Sequence, residues 1–86
     1  PNNTEIGDNM IKGDVQIGNF CAVGSNSVIM PKNNIPNGTV VGALSFVPAE
    51  FKFKPWAVYA GIPIRFIKKR NRKNVLMQFK VLDKSL

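Results

Sequence analysis

The side chains that could take part in chemistry are mostly cationic and lie in the second half of the sequence. The 86 residues include twelve Lys or Arg, five Asp or Glu, one Cys and no His. Residues 1–46 carry a net charge of −1 and residues 47–86 a net charge of +8, because ten of the twelve cations lie in the second segment. A basic surface of this kind favours phosphate-bearing partners, whether a cofactor, a nucleic acid or a membrane.

The lack of His in this sequence limits the chemistry that its residues could perform. His is the side chain that most readily takes a proton near pH 7, and neither Asp8 nor Asp14 is assigned that role on composition alone. A zinc site is not expected, because one Cys and no His cannot supply its ligands. The chain begins with Pro1 where a translation product would begin with Met, and we therefore expect it to be part of a longer protein.

A branched aliphatic residue recurs at every sixth position through the first half of the chain. A helix needs apolar residues three or four apart and a strand needs every second one, so neither period accounts for the series. The series comprises Ile11, Ile17, Val23, Ile29, Ile35, Val41 and Val47.

The residues around each aliphatic also repeat. Gly follows at Gly18, Gly24 and Gly42, and small or β-branched residues occupy a second position of the repeat. We expect the aliphatics to fill the interior of a coil of short strands, each Gly to take a turn that other residues resist, and the small residues to fit where the interior narrows. Six-residue repeats of this kind predict a parallel β-helix. The small or β-branched residues are Val15, Cys21, Ser27, Thr39 and Ser45.

The repeat resembles that of the hexapeptide-repeat acyltransferases, in which the run aliphatic-Gly-x-x-small-x recurs in phase. The resemblance implies an all-β fold, a left-handed parallel β-helix with three hexapeptides per coil, so that residues 11–28 and 29–46 are two complete coils. The segment AGIPIRFIK, from Ala60 to Lys68, is similar to the signature that follows the last coil in sugar O-acetyltransferases of capsule and O-antigen synthesis. Coils and signature together extend the resemblance over residues 11–72.

Four segments are expected along the chain. Residues 1–10 form an irregular entry segment, residues 11–47 the coils, residues 48–63 a loop rich in Pro and aromatic residues, and residues 64–86 a basic strand and a short C-terminal α-helix. The aromatic rings of the loop either pack on the coils or contact a ligand or neighbouring subunit. The helix is expected because four apolar residues fall on one side of it, namely Val75, Leu76, Phe79 and Leu82.

The resemblance implies an enzyme that moves the acetyl group of acetyl-CoA to a hydroxyl or amino group of a sugar or nucleotide sugar, without a metal. In the family, a His upstream of these coils takes the acceptor proton, so we expect the catalytic His upstream of Pro1. The cofactor-binding positions correspond here to Ser25 and Ala43, which face the pantetheine arm, and to Arg65 and Lys68, which meet the phosphates.

One departure from the family concerns charge. The family has Thr-Lys where this sequence has Pro48 and Ala49, and a Lys of the following loop, Lys52 or Lys54, could supply the missing charge. Two further cations directly follow the signature, Lys69 and Arg70, and they either contact phosphate or face solvent.

The resemblance further implies a homotrimer, a cytoplasmic location and a role in polysaccharide biosynthesis. The main alternative is a non-catalytic trimeric β-helix module that presents a basic face without turning over a substrate. Nucleic-acid binding is not expected, because the IKKRNRKN cluster is short and overlaps the acyltransferase signature. Stable membrane insertion is not expected, since no apolar run approaches the roughly 20 residues of a membrane span.

Overall fold

The computed structural model of the chain describes residues 4–73, which form short strands joined by tight corners. Nearly all of these strands contain two or three residues, and the two longest come last. In chain order they are β1 (Glu5–Ile6), β2 (Met10–Ile11), β3 (Val15–Ile17), β4 (Ala22–Val23), β5 (Val28–Ile29), β6 (Asn33–Ile35), β7 (Val40–Val41), β8 (Phe46–Val47), β9 (Ala57–Ala60) and β10 (Arg65–Lys69).

The strands stack into three sheets that make the sides of a prism. The orders are β1-β4-β7-β9-β10, β2-β5-β8 and β3-β6, and every pairing is parallel except that of β9 with β10. Val23 pairs with Val41 and Ile29 pairs with Val47, so one coil spans eighteen residues. The prediction of an all-β parallel β-helix with eighteen-residue coils is therefore confirmed.

The six-residue series forms the core. Ile29, Ile35 and Val47 have no exposed surface, whereas Ile11, in the outermost described coil, is 40% exposed because no described coil covers it. Burying one such side chain contributes about 1.5–3 kcal/mol, so the stacked coils stabilise one another through this column. A single coil would leave the same side chains in water.

The core continues two repeats beyond Val47, through aromatic residues. Phe53 and Tyr59 stand six and twelve positions after Val47. Tyr59 is buried and pairs with Val41 across the parallel β7–β9 pair, while Phe53 packs partly buried against the core. The expected loop at residues 48–63 is thus wrong in part, because β9 lies within it and continues the coil in register.

The turns lie elsewhere than the sequence pattern predicts. Gly18, Gly24 and Gly42 do not have positive φ, and the left-handed conformation occurs two residues after each of them, as at Asn26. The glycines are required for another reason, because a Cβ at Gly24 would lie 2.7 Å from the Cα of Ala43 in the next coil. From Phe20 onward, the left-handed residues with φ between 54° and 74° are spaced six apart: Phe20, Asn26, Lys32, Gly38, Leu44, Glu50 and Trp56.

The first and last of the four predicted segments differ from a regular eighteen-residue coil. In the entry segment, β1 pairs with β4 at an offset of seventeen residues, Ile6 with Val23, because its corner is one residue shorter than the equivalent corner of the next coil. The strand expected after residue 64 lies at Arg65–Lys69. Arg72 and Lys73 are helical, where the C-terminal helix is predicted to begin, and its four apolar residues lie outside the described part of the chain. No helix within residues 4–73 has the length and apolar character needed to cross a bilayer.

Small polar side chains fill the narrow interior and join neighbouring coils. The Ser27 hydroxyl donates to the Gly42 carbonyl oxygen (2.9 Å) and accepts a bond from the Ser45 N–H (3.1 Å). Asn33 replaces the expected small residue, and its amide donates to the Pro48 carbonyl oxygen (2.9 Å) and accepts from the Phe51 N–H (3.1 Å). Each side chain therefore bonds the next coil of the stack, which fixes the register between coils.

One buried polar atom makes no such bond. The Thr39 hydroxyl oxygen is fully buried and has no hydrogen-bond partner among residues 4–73. We expect Thr39→Val to raise the free energy of unfolding by about 1 kcal/mol, because it keeps the shape and removes an unsatisfied hydroxyl.

Ser27→Ala should lower the free energy of unfolding by about 1–3 kcal/mol, because the buried Ser45 N–H loses its acceptor. Urea denaturation measures both, and a destabilising Thr39→Val would contradict the assignment.

Candidate functional site

Ser25 and Ala43 lie one above the other at a single corner of the prism, which we call the Ser25–Ala43 corner. It joins the five-stranded and the three-stranded sheets and consists of residues 24–27 and 42–45. Both side chains are exposed, and the Leu44 N–H donates to the Ser25 carbonyl oxygen (3.1 Å). The structure therefore brings these two predicted residues together in adjacent coils.

Two backbone donors at this corner make no hydrogen bond within the described residues. Within residues 4–73, neither the Ser25 N–H nor the Ala43 N–H has a hydrogen-bond acceptor, although the N–H groups of Gly24 and Gly42 donate to carbonyl oxygens of the next coil. Because the side chains are small, an extended ligand could approach closely enough to accept bonds from both free N–H groups. The corner thus offers two stacked backbone donors beside small, exposed side chains.

In the C-terminal β9–β10 hairpin, the cations of β10 lie on two different faces. Arg65 pairs with Ala60, and Lys68 pairs with Val58, with a bulge at Ile67 between them. Ala60 and Val58 point away from the core, since they alternate with the buried Ala57 and Tyr59. Arg65 and Lys68 therefore share the outer face of the five-stranded sheet.

The bulge decides that arrangement. In a regular strand, residues three apart lie on opposite faces, so Lys68 would point away from Arg65. The extra residue at the bulge places Lys68 on the same face as Arg65. Phe66 and Lys69 lie on the opposite face, because they pair with Tyr59 and Ala57. No residue preference in the segment indicates this bulge.

Arg65 reaches the lower end of the Ser25–Ala43 corner. Gly61 lies one coil beyond Ala43 there, and its N–H donates to the Ser45 hydroxyl (3.2 Å). A Cβ added at Gly61 would lie 3.9 Å from Arg65 Nε, so the Arg65 side chain passes close to this corner. Lys68 lies two pairing positions further along the outer face, or about 7 Å. Three of the four predicted residues thus follow one corner, and Lys68 lies beside it.

Arg70 is partly buried, and its Nη1 is hydrogen-bonded within the fold. Its guanidinium donates to the carbonyl oxygens of Phe20 (2.6 Å) and Gly38 (3.1 Å), and its N–H donates to that of Trp56 (2.8 Å). These three residues occupy the same left-handed corner position in consecutive coils. Arg70 therefore clamps three coils together, a role that its place in a basic run did not indicate.

Two other sequence-derived expectations concern groups that the site lacks. The Thr-Lys of the family is Pro48 and Ala49 here, and Pro48 is used structurally, as its carbonyl oxygen accepts the Asn33 amide. Among residues 4–73 there is no group of His, Cys, Asp and Glu that could hold a metal ion.

Comparison with known proteins places the chain. It matches no protein-family model. It is 42% identical over 59 residues to a probable macrolide acetyltransferase of Lysinibacillus sphaericus, which covers 69% of this chain and 32% of that protein. It is 41% identical over 58 residues to a chloramphenicol acetyltransferase of Morganella morganii, with 67% and 27% covered. The chain thus spans about a third or less of the length of these relatives.

Solved structures show the same fold. A point mutant of AntD, an N-acyltransferase from Bacillus cereus in complex with dTDP and coenzyme A, aligns with a TM-score of 0.80 at 25% identity, covering 99% of this chain and 58% of AntD. A maltose O-acetyltransferase from Clostridium difficile 630 aligns with a TM-score of 0.61 at 34% identity, covering 67% and 30%.

The fold and the repeat define a class of protein, the left-handed parallel β-helices built from hexapeptides. Within that class, the chain belongs to the hexapeptide-repeat acyltransferases, as its sequence pattern predicted.

We expect Gly24→Ala to lower the free energy of unfolding by about 1–3 kcal/mol, because the new Cβ would meet backbone atoms of Ala43 and push the coils apart. Hydrogen exchange of the amides around Ala43 should accelerate with it. Ser25→Ala, at an exposed neighbouring side chain, is the matched control and should change neither quantity. Equal stability of the two variants would show that the coils tolerate the larger residue.

Arg70→Ala should lower the free energy of unfolding by about 2 kcal/mol, because two charge-assisted hydrogen bonds to carbonyl oxygens are lost. Lys69→Ala removes the same charge from an exposed neighbour and should have little effect. Thermal denaturation of both variants separates the loss of the Arg70 hydrogen bonds from the loss of one positive charge. An equal loss of stability in the two variants would show that these hydrogen bonds do not stabilise the fold.

Proposed function

We propose that the protein containing this chain transfers an acetyl group from acetyl-CoA to a hydroxyl or amino group of a sugar or nucleotide sugar. In this proposal, residues 4–73 contribute a coenzyme A-binding face. The observation that carries it is the Ser25–Ala43 corner, where free N–H groups on small residues lead down to Arg65. Support comes from AntD, whose structures contain coenzyme A, and from acetyltransferase relatives.

The corner suits the pantetheine arm, which is an extended chain with amide carbonyl groups. The N–H groups of Ser25 and Ala43 would donate to such carbonyl oxygens, and the small side chains would let the arm lie against the coil. Binding of this kind needs no side-chain rearrangement, because the donors belong to a rigid stack.

The outer-face pair, Arg65 and Lys68, suits the phosphates. Arg65 can form two parallel hydrogen bonds to one phosphate, whereas Lys68 acts as a compact positive charge about 7 Å further on. Both side chains are exposed and neither lies beside a described carboxylate in the β9–β10 hairpin. Phosphate contacts of this kind orient the nucleotide end and so fix the position of the distant acyl group.

The chemical step is acyl transfer to an oxygen or nitrogen of the acceptor. The acceptor atom attacks the thioester carbonyl carbon, its proton goes to a general base, and the C–S bond breaks to release the coenzyme A thiolate. Residues 1–86 contain no His, so the base is assigned to a His upstream of Pro1. The described residues position the acyl donor and do not supply that proton acceptor.

The acceptor class is proposed from the relatives and from the signature. One AntD mutant structure contains dTDP-4-amino-4,6-dideoxyglucose, and another neighbour is a maltose O-acetyltransferase. We also propose a homotrimer in the cytoplasm with a role in polysaccharide biosynthesis. Support for the trimer comes from two exposed apolar residues, Leu44 at the Ser25–Ala43 corner (64% exposed) and Ile62 eighteen residues further on (74%), which another subunit or ligand would cover.

Calorimetric titration with coenzyme A and its 3′-dephospho form tests the phosphate assignment. Lys68→Ala should weaken coenzyme A binding about tenfold, the effect of one lost charge-assisted contact, and should weaken the dephospho form less. Lys12→Ala, an exposed cation far along the chain, is the control and should leave both affinities unchanged. An equal loss of affinity for both ligands would contradict the assignment of Lys68 to the 3′-phosphate.

The wild-type titration also separates the enzyme from the alternative module. Failure of the folded full-length protein to bind coenzyme A, or to acetylate any sugar or nucleotide sugar, would favour a non-catalytic assembly role.

A further inference from the structure

A groove lies on the side of β10 opposite to Arg65 and Lys68, and we call it the cap groove. It has a volume of about 700 Å³. The segment before β9 forms one wall, and the end of β10 forms the other. Its main lining residues are Lys52, Lys54, Trp56, Tyr59, Phe66 and Lys69.

Positive charge collects in this groove. Lys52 and Lys54 come from one wall and Lys69 from the other, and all three side chains are exposed. No Asp or Glu of the described part of the chain lines it. Three ammonium groups around one concave surface repel each other, and an anion between them would relieve that repulsion.

The walls are held in place by hydrogen bonds. The Lys54 N–H donates to the Tyr59 hydroxyl (2.7 Å), and the Arg70 N–H joins the end of β10 to the Trp56 carbonyl oxygen (2.8 Å). The Tyr59 ring is also packed edge-on against Phe53 at 5.0 Å between centroids. The groove is therefore a fixed feature of the fold, and not a chance gathering of mobile lysines.

Tyr59 adds a neutral donor to the three cations. Its hydroxyl oxygen accepts the bond from Lys54, and within residues 4–73 no acceptor takes the hydroxyl hydrogen. A hydroxyl can donate one bond as well as accept, so this hydrogen is available to an anionic oxygen. Phe66, which is 49% exposed, supplies an apolar surface beside the charges.

We propose that the cap groove is a second phosphate-binding site, separate from the outer-face pair. Phosphate suits it better than a carboxylate, because a phosphate monoester carries about −1.5 to −2 charges and three acceptor oxygens, which match several compact ammonium groups. Arg70 also lines the groove, but its Nη1 is already hydrogen-bonded to the carbonyl oxygens of Phe20 and Gly38, so the proposal rests on the three lysines. The site does not depend on the assignment of coenzyme A to the Ser25–Ala43 corner.

Inorganic pyrophosphate is the probe, titrated into the full-length protein by calorimetry, with Trp56 emission as a second readout of the groove. The combined Lys52→Gln, Lys54→Gln and Lys69→Gln variant should bind pyrophosphate at least tenfold more weakly than wild type. Both affinities are read from the Trp56 emission, which reports on the groove, because pyrophosphate bound at Arg65 and Lys68 would also contribute heat. The matched control, Arg65→Gln with Lys68→Gln, removes two cations from the other face of β10 and should leave the affinity read from Trp56 within about twofold of wild type.

Coenzyme A, titrated into the same variants, distinguishes this site from the proposed cofactor face. The groove variant should keep its coenzyme A affinity, whereas the outer-face variant should lose it. Loss of coenzyme A binding in the groove variant would merge the two sites and overturn the proposal. If both variants keep their coenzyme A affinity and the groove variant loses pyrophosphate binding, the groove is confirmed as a phosphate site. That result would contradict only the assignment of coenzyme A to Arg65 and Lys68.

The source of the phosphate is resolved with lipid. Vesicles of phosphatidylcholine with phosphatidic acid present a phosphate monoester at a surface, and pure phosphatidylcholine vesicles are the control. Groove-dependent binding to the acidic vesicles would assign the site to a lipid headgroup, and binding of pyrophosphate alone would assign it to a free phosphate ligand. Absence of both, or equal binding by wild type and the groove variant, would refute the site.

Discussion

The spacing between hydrogen-bonded strands, about 4.8 Å, governs this structure, because every residue sits directly above another one coil away. At that distance a Cβ on Gly24 has no space, the interior corner favours small side chains such as Ser27, and a hydroxyl or amide there can reach the backbone of the next coil. The repeat in the sequence is thus the result of a single packing distance applied again and again.

The same spacing shapes the surface that we assign to the cofactor. Stacking Ser25 on Ala43 aligns two free N–H groups along one edge, and the hairpin adds Arg65 where that edge ends. The hairpin, however, does not repeat the coil, because β10 runs antiparallel to β9 and contains a bulge. Rigid repetition therefore supplies the donors, and the one irregular element distributes the charges.

The coil and its core could be predicted from the sequence, since an aliphatic at every sixth residue fits neither a helix nor a flat sheet and requires a stack of short strands. The continuation through Phe53 and Tyr59 is equally in phase, yet prolines and aromatic side chains make the segment resemble a loop. The role of each Gly could not be predicted, because a pattern shows that a residue must be small without showing whether backbone angle or space demands it.

The site residues were harder to predict than the core. Ser25 and Ala43 could be paired by their separation of eighteen, but the faces of Lys68 and Lys69 depend on a bulge that no local residue preference announces. Arg70 contacts Phe20 and Gly38, which lie 50 and 32 positions away in the chain. A contact of that range follows only once the coils are stacked, so a run of cations could not separate a structural arginine from ligand-binding ones.

The short corner between β1 and β2 has a consequence for how such chains can change length. One residue is missing there, yet β2 still pairs with β5 at the full offset of eighteen, so the corner absorbs the deletion and passes none of it on. Indels of one residue are therefore tolerable at corners, where backbone angles can adjust. Within a strand they would turn the aliphatic outward, so larger changes should come as whole coils.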